Sequence, residues 1–198
     1  MPLMGDPGHF EMISTLTAIA STINKPSALV VVSAHWEESV VTVTSGENPG
    51  LVYDYFGFPD EAYAVEYPSP GEPQLAQRIV DALITSGIKA NLDDRRGFDH
   101  GHFVPLKIMY PLGDIPCVQL SLVKGLDPAQ HLDIGKALGK TLDESVLVLG
   151  SGSSFHNMQG FFDPDNKDAD AQNAAFESWL QGTCTSPALS EDERSDRL

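Results

Sequence analysis

Basic side chains are scarce in this sequence: twelve Lys and Arg stand against 28 Asp and Glu, a formal charge of −16 over 198 residues. Such a surface repels phosphate backbones and anionic headgroups, so neither nucleic acid nor a membrane surface is an expected partner. Long apolar runs are missing too, none approaching the ~20 residues of a membrane-spanning helix. Cysteine is rare. Cys117 and Cys184 lie far apart, which excludes a disulfide framework and makes a reducing cytoplasm the expected setting. Cys117, within the apolar run Ile115-Pro-Cys-Val118, reads as a small buried hydrophobe. The opening Met1-Pro-Leu-Met-Gly-Asp6 has no basic region followed by an apolar one, so no secretory signal is expected there. The acidic runs at 163–170 and 191–193 lack the spacing of a calcium loop and read as solvated.

What is present is an alternation of two periodicities. Residues 11–23 carry Met12, Ile13, Leu16, Ile19, Ala20 and Ile23, the spacing of an amphipathic helix that Lys25-Pro26 stops. Residues 28–32 form a continuous, mostly β-branched apolar run, as in a central parallel strand covered on both faces. Further strands are expected at 40–44, 88–92, 118–123 and 146–149. Helices are expected at 73–86, 104–110, 128–142 and about 171–181, with a turn over 97–101. Residues 51–71 hold Tyr53, Tyr55, Phe56, Phe58, Tyr63 and Tyr67 between prolines and glycines. They cannot form a regular helix and read as a long ordered loop. The fold class is therefore α/β, a single domain with a mostly parallel central sheet flanked by helices. Sites in such folds lie at the carboxyl ends of strands.

Both ends read as severed. No strand precedes the first helix, and Ser190-Glu-Asp-Glu193 is a capping box opening a helix of only a few more residues. The domain, residues 1–198, is thus expected to be incomplete at either end.

Four of the six histidines sit near strand exits, in three separate turns. His35 follows the first apolar run, His100 and His102 flank Gly101, and His156 lies in Gly150-Ser-Gly-Ser-Ser-Phe-His-Asn157. Each alone also suits a packed, hydrogen-bonded imidazole. Together they suit a metal or acid–base site. His9 and His131, at helix starts, read as surface or capping residues. A serine hydrolase competes weakly, since Gly150-Ser-Gly-Ser-Ser is not G-x-S-x-G. The same turn lacks the Lys-Ser/Thr of a phosphate loop.

Several segments, in order, resemble the class III extradiol ring-cleavage dioxygenases of the DOPA-dioxygenase-like branch. They are Val30-Val-Val-Ser-Ala-His-Trp36, Tyr53-Asp-Tyr-Phe-Gly-Phe-Pro59, Tyr67-Pro-Ser-Pro-Gly71, Gly97-Phe-Asp-His-Gly101, Val104-Pro-Leu106, Met109-Tyr-Pro111, Ile115-Pro-Cys-Val-Gln-Leu-Ser121 and the His156 segment. The resemblance implies a metal, usually Fe(II) and sometimes zinc, with His35 as a ligand. It implies His156 as the acid–base residue and His100 as a further active-site histidine. A small catechol-type aromatic and O2 are the implied partners, with Tyr53, Phe58 and Asp99 beside the substrate. Two further ligands of the family, in a leading His-Gly-Ser-Pro and a later Pro-x-x-His, have no counterpart in these 198 residues. A scaffold that keeps the fold without the chemistry, or a metal hydrolase in the same pocket, are the competing readings.

Overall fold

The alternating periodicities resolve, in a computed structural model describing residues 2–154, 156–157 and 166–198, into two compact units, Met1–Gly152 and Ser153–Leu198. In the first unit, helix α1 (Phe10–Thr22) leads into strands β1 (Ala28–Glu38) and β2 (Val41–Thr44). Helix α2 (Pro73–Thr85), strand β3 (Ala90–Asp93), helix α3 (His100–Met109), strand β4 (Cys117–Val123), helix α4 (Pro128–Gly139) and strand β5 (Val146–Ser151) follow. The sheet order is β3-β2-β4-β1-β5. Pairings of β1 with β4, β1 with β5 and β2 with β3 are parallel, and β2 meets β4 antiparallel.

Strand period two sorts the central residues into two cores. Ala28 and Val30 of β1, with Val118 and Leu120 of β4, pack against Leu75, Ile79 and Leu83 of α2 and Ile134 and Leu138 of α4. Leu29, Val31 and Cys117 face the other way, onto Phe103 and Leu106 of α3 and onto Phe98. Each buried Val, Leu, Ile or Phe among them stabilises the fold by about 1.5–3 kcal/mol relative to exposure. The 3-4 spacing of Leu75, Ala76, Ile79, Val80 and Leu83, all buried, explains why α2 lies along the sheet. Helix α1 is weaker: Met12 and Ile19, expected on its apolar face, are exposed.

The loop over 51–71 is ordered by its aromatic hydroxyls. Tyr53 Oη donates to the Val65 carbonyl at 2.7 Å, Tyr55 Oη to that of Ala62 at 2.5 Å, and Tyr67 Oη to that of Tyr110 at 3.0 Å. Single bridges from Leu51 to Phe98 and from Gly71 to Cys117 pin its ends to the body.

Two expectations are corrected. Strand β1 does not end at Val32. It continues to Glu38 with its register to β4 shifted between Val32 and Glu37, so His35 sits in an irregular stretch of strand instead of a following turn. Helix α3 begins at His100, not near Val104. The turn before it is compressed because the Gly97 Cα abuts the Gly50 carbonyl, where a Cβ would lie 2.5 Å from the oxygen.

In the second unit, helix α5 (Lys167–Thr185) is capped by Asn166, and α6 (Glu191–Arg197) opens on the Ser190–Glu193 capping box. Among the described residues no helix is long and apolar enough to cross a membrane. Phe155 and residues 163–165 of the acidic run lie outside the described residues.

Candidate metal and acid–base site

One cluster on the first unit joins strand, loop and helix. The irregular stretch of β1 presents His35 to solvent while Ser33 and Trp36 on either side are buried. The N-terminus of α3 presents His100. The two rings approach to 3.9 Å between centroids, tilted by 44°. Asp54, from the aromatic loop, completes the group: ligand atoms of His35, Asp54 and His100 all lie within 4.8 Å of one another.

Asp54 Oδ1 accepts two hydrogen bonds from one residue, the His100 backbone N–H at 3.0 Å and ring Nδ1 at 2.7 Å. Burial acts to raise the Asp54 pKa, but the two bonds and the His100 charge outweigh it, holding the carboxyl below its ordinary value. An ionised carboxylate can only accept, so Nδ1 carries the proton and donates to Asp54. A loop carboxylate at the first turn of a helix is also favoured by the helix dipole.

Aromatic rings wall the cluster. Tyr55 stands edge-on to His100 at 5.5 Å and 80°. Phe58 packs edge-on against Tyr55 at 5.5 Å, one ring removed from His100. Tyr53 lies deeper, edge-on to Phe103 at 5.7 Å.

Asp99 is not beside the cluster's open face, where a substrate contact was expected. It is fully buried. Its carboxylate accepts from Ser33 Oγ at 2.8 Å, from Arg96 Nη2 at 3.3 Å and from the Gln119 amide. His102 also departs from a shared role with His100. On a helix, residues two apart diverge, and His102 turns inward to stack on Phe98. Burial pushes its imidazole down to about 3, so it stays neutral. His131 bridges its own helix start, accepting from the Val123 N–H at 3.1 Å with Nε2. His156 belongs to the second unit, in a stretch without regular structure, with its side chain exposed. Cys117 is buried and Cys184 exposed, both as free thiols.

The residue that sequence reasoning missed is Asp54. It lies inside the quoted Tyr53–Pro59 segment, but its partner is 46 positions away, so no spacing rule flags it. Two imidazoles and a carboxylate in such proximity match the donor set that open-faced Fe(II) sites and zinc sites use. The residues present fit a divalent first-row metal.

Comparison with known proteins agrees in kind. Residues 7–186 match the family model described as the catalytic LigB subunit of aromatic ring-opening dioxygenase. The chain is 44% identical over 169 residues to a 4,5-DOPA dioxygenase extradiol of Beta vulgaris, covering 84% of this chain and 62% of that protein. It is 38% identical over 168 residues to dioxygenase tasH of Hapsidospora irregularis, covering 80% and 52%. A crystal structure of an uncharacterized Escherichia coli K12 protein, JW3007, superposes with a TM-score of 0.69 at 34% identity, covering 88% of this chain and 67% of that one. The chain thus spans little more than half the length of the curated relatives it matches.

Proposed function

Because the chain belongs to the LigB family of aromatic ring-opening dioxygenases, we propose that the whole protein is a metal-dependent extradiol dioxygenase that opens a catechol-type ring with O2. The observation that carries this reading is the convergence of His35, Asp54 and His100 within 4.8 Å, inside the segment that matches the family. The 4,5-DOPA dioxygenase extradiol name of the Beta vulgaris relative makes a catechol carrying an amino-acid side chain the first substrate to test.

His35, Asp54 and His100 are the residues that would hold the metal, with Fe(II) the first choice and zinc the alternative. When bound, the metal would supply Lewis-acid and template chemistry for the catechol and O2. The chain's own residues do the rest. Asp54 fixes the His100 tautomer through Nδ1, a bond that also sets the ring's orientation. Tyr55 and Phe58 offer ring edges and faces to a flat substrate and exclude water from one side. The family resemblance gives His156 the acid–base role of taking a catechol proton and returning it later.

An oxygen electrode tests the reading. Full-length protein loaded anaerobically with Fe(II) consumes one O2 per catechol, and mass spectrometry after 18O2 finds both labelled atoms in the opened product. His35→Ala abolishes uptake. Label ending in water or peroxide, or turnover of an ester without O2, would overturn the assignment.

A further inference from the structure

We propose that Ser33 and Asp99 form a positioning pair that sets the distance between the His35 and His100 imidazoles. The inference rests on the reading of those two histidines as active-site residues, and its test is chosen to stand apart from turnover.

The two imidazoles come from elements with no direct strand pairing. His35 is on β1 and His100 on α3, 65 positions on. Just behind the rings the two elements are joined by a buried hydroxyl. Ser33 Oγ donates to Asp99 Oδ1 at 2.8 Å and accepts the His35 backbone N–H at 3.2 Å. A hydroxyl has one proton and two lone pairs, so these bonds use its donor and leave it aimed from His35 toward Asp99. The bond to the His35 N–H falls where the strand needs it. Between the Val32–Leu120 and Glu37–Leu122 pairs, β1 has four residues (33–36) and β4 has one, Ser121. Backbone in that stretch cannot all be satisfied by the ladder.

Asp99 is the other half. It stands at the N-cap of α3, yet its side chain makes no cap bond to the helix. An aspartate there usually accepts from the first turn. Here the carboxylate is diverted to Ser33, Gln119 and Arg96, while its own N–H donates to Gln119 Oε1 at 3.3 Å. Gln119 on β4 therefore grips Asp99 at both backbone and carboxylate, locking the rotamer of the residue that precedes His100. Arg96 in turn lies over the Trp36 ring, 4.4 Å from its centroid, which ties the residue after His35 to the same network. Gly101 closes the fit: a Cβ there would meet Ser33 Oγ at 2.3 Å. Helix α3 thus seats directly on the Ser33 hydroxyl, and any residue larger than glycine would lift His100 away.

Ser33→Ala removes the hydroxyl, and with it the bond from the His35 N–H and the bond to Asp99 Oδ1. Asp99→Asn keeps the volume but turns an amide N–H on either Ser33 or Gln119, replacing an acceptor with a donor. The test uses full-length metal-free protein with labelled histidine, and reads the inter-ring nuclear Overhauser effect between His35 and His100. Zn(II) affinity is measured separately, with the metal alone against a chromogenic chelator. Wild type shows the inter-ring effect. In both variants it disappears, and Zn(II) affinity falls roughly 10–100-fold, as removal of groups supporting ligands does. Ile134→Val, a core loosening in α4, lowers the thermal midpoint but leaves both readouts unchanged. If Ser33→Ala does not fold, Asp99→Asn decides. Retention of the inter-ring effect and of Zn(II) affinity within twofold in the folded variants overturns the pair. Loss of the effect in a protein that never consumes O2 supports the pair and removes the dioxygenase reading instead.

Discussion

The imidazole of His102 lies flat on the Phe98 ring, 3.8 Å between centroids and 14° from parallel. Among the described residues neither of its ring nitrogens has a hydrogen-bond partner, and the residue is wholly buried. A buried polar group without a partner costs about 1–3 kcal/mol. Stacking on Phe98 offsets part of that. His102→Leu should therefore raise the thermal midpoint by about 2–4 °C, the shift expected for ~1 kcal/mol in a chain of this size. A lower midpoint in calorimetry at pH 7 would mean the imidazole makes a bond that stabilises the fold.

Gly101 carries the opposite expectation. In the first turn of a helix, Gly→Ala ordinarily stabilises by about 0.5–1 kcal/mol. Here the new methyl would lie 2.3 Å from Ser33 Oγ and 3.1 Å from Asp99 Oδ1. Gly101→Ala should destabilise by about 1–3 kcal/mol, the usual cost of overpacking. The double variant with Ser33→Ala should recover part of it, because neighbours that clash do not add. Additive losses in urea titrations would show that the Ser33 hydroxyl is not what Gly101 makes room for.

The two thiols should separate cleanly in reactivity. Burial pushes the Cys117 thiol up to about 12, a shift that the Ser69 hydroxyl only partly opposes, while Cys184 is exposed. The thiolate is the reactive species. At pH 8 a chromogenic disulfide reagent should titrate one thiol quickly and the second only after denaturant is added. Cys184→Ser should abolish the fast phase, and two fast equivalents in the native protein would contradict the buried placement of Cys117.

Asp93 supplies a pH dependence. Its carboxylate accepts from the Arg95 and Arg96 backbone N–H groups, each at 2.9 Å. The Arg95 bond leads in holding its pKa below the ordinary 3.8, burial opposes it, and the Arg96 bond adds to it. A carboxyl depressed on folding contributes stability above its unfolded value, and that contribution fades as pH falls through the lower folded one. Because the group is partly exposed, Asp93→Ala should cost no more than about 1 kcal/mol at pH 7. The urea midpoints of variant and wild type should converge by about pH 2. A gap that persists there would assign the loss to packing instead of charge.

Parts of the site were readable from residues. His35 and His100 stood out because imidazoles next to strand ends and glycines are placed for chemistry, and the structure brings those two rings together. Asp54, Ser33 and Gln119 did not stand out. Each is an ordinary polar residue in its own segment, and its meaning comes from partners 20 to 66 positions away.

Local order was written in the chain itself. The continuous β-branched run from Ala28, 3-4 spacing in α2 and the Ser190 capping box each act through neighbours a few residues off, so sequence alone determined most strands, most helices and the α/β class. Where α3 begins, how far β1 extends and which histidine faces the open side were decided in three dimensions. Those outcomes depend on a glycine meeting a distant carbonyl at Gly50, on four strand residues opposing one, and on a buried carboxylate choosing Ser33 over its own helix. Contacts of that kind exist only after the sheet has closed, because their free energy depends on removing water from groups that the unfolded chain keeps apart.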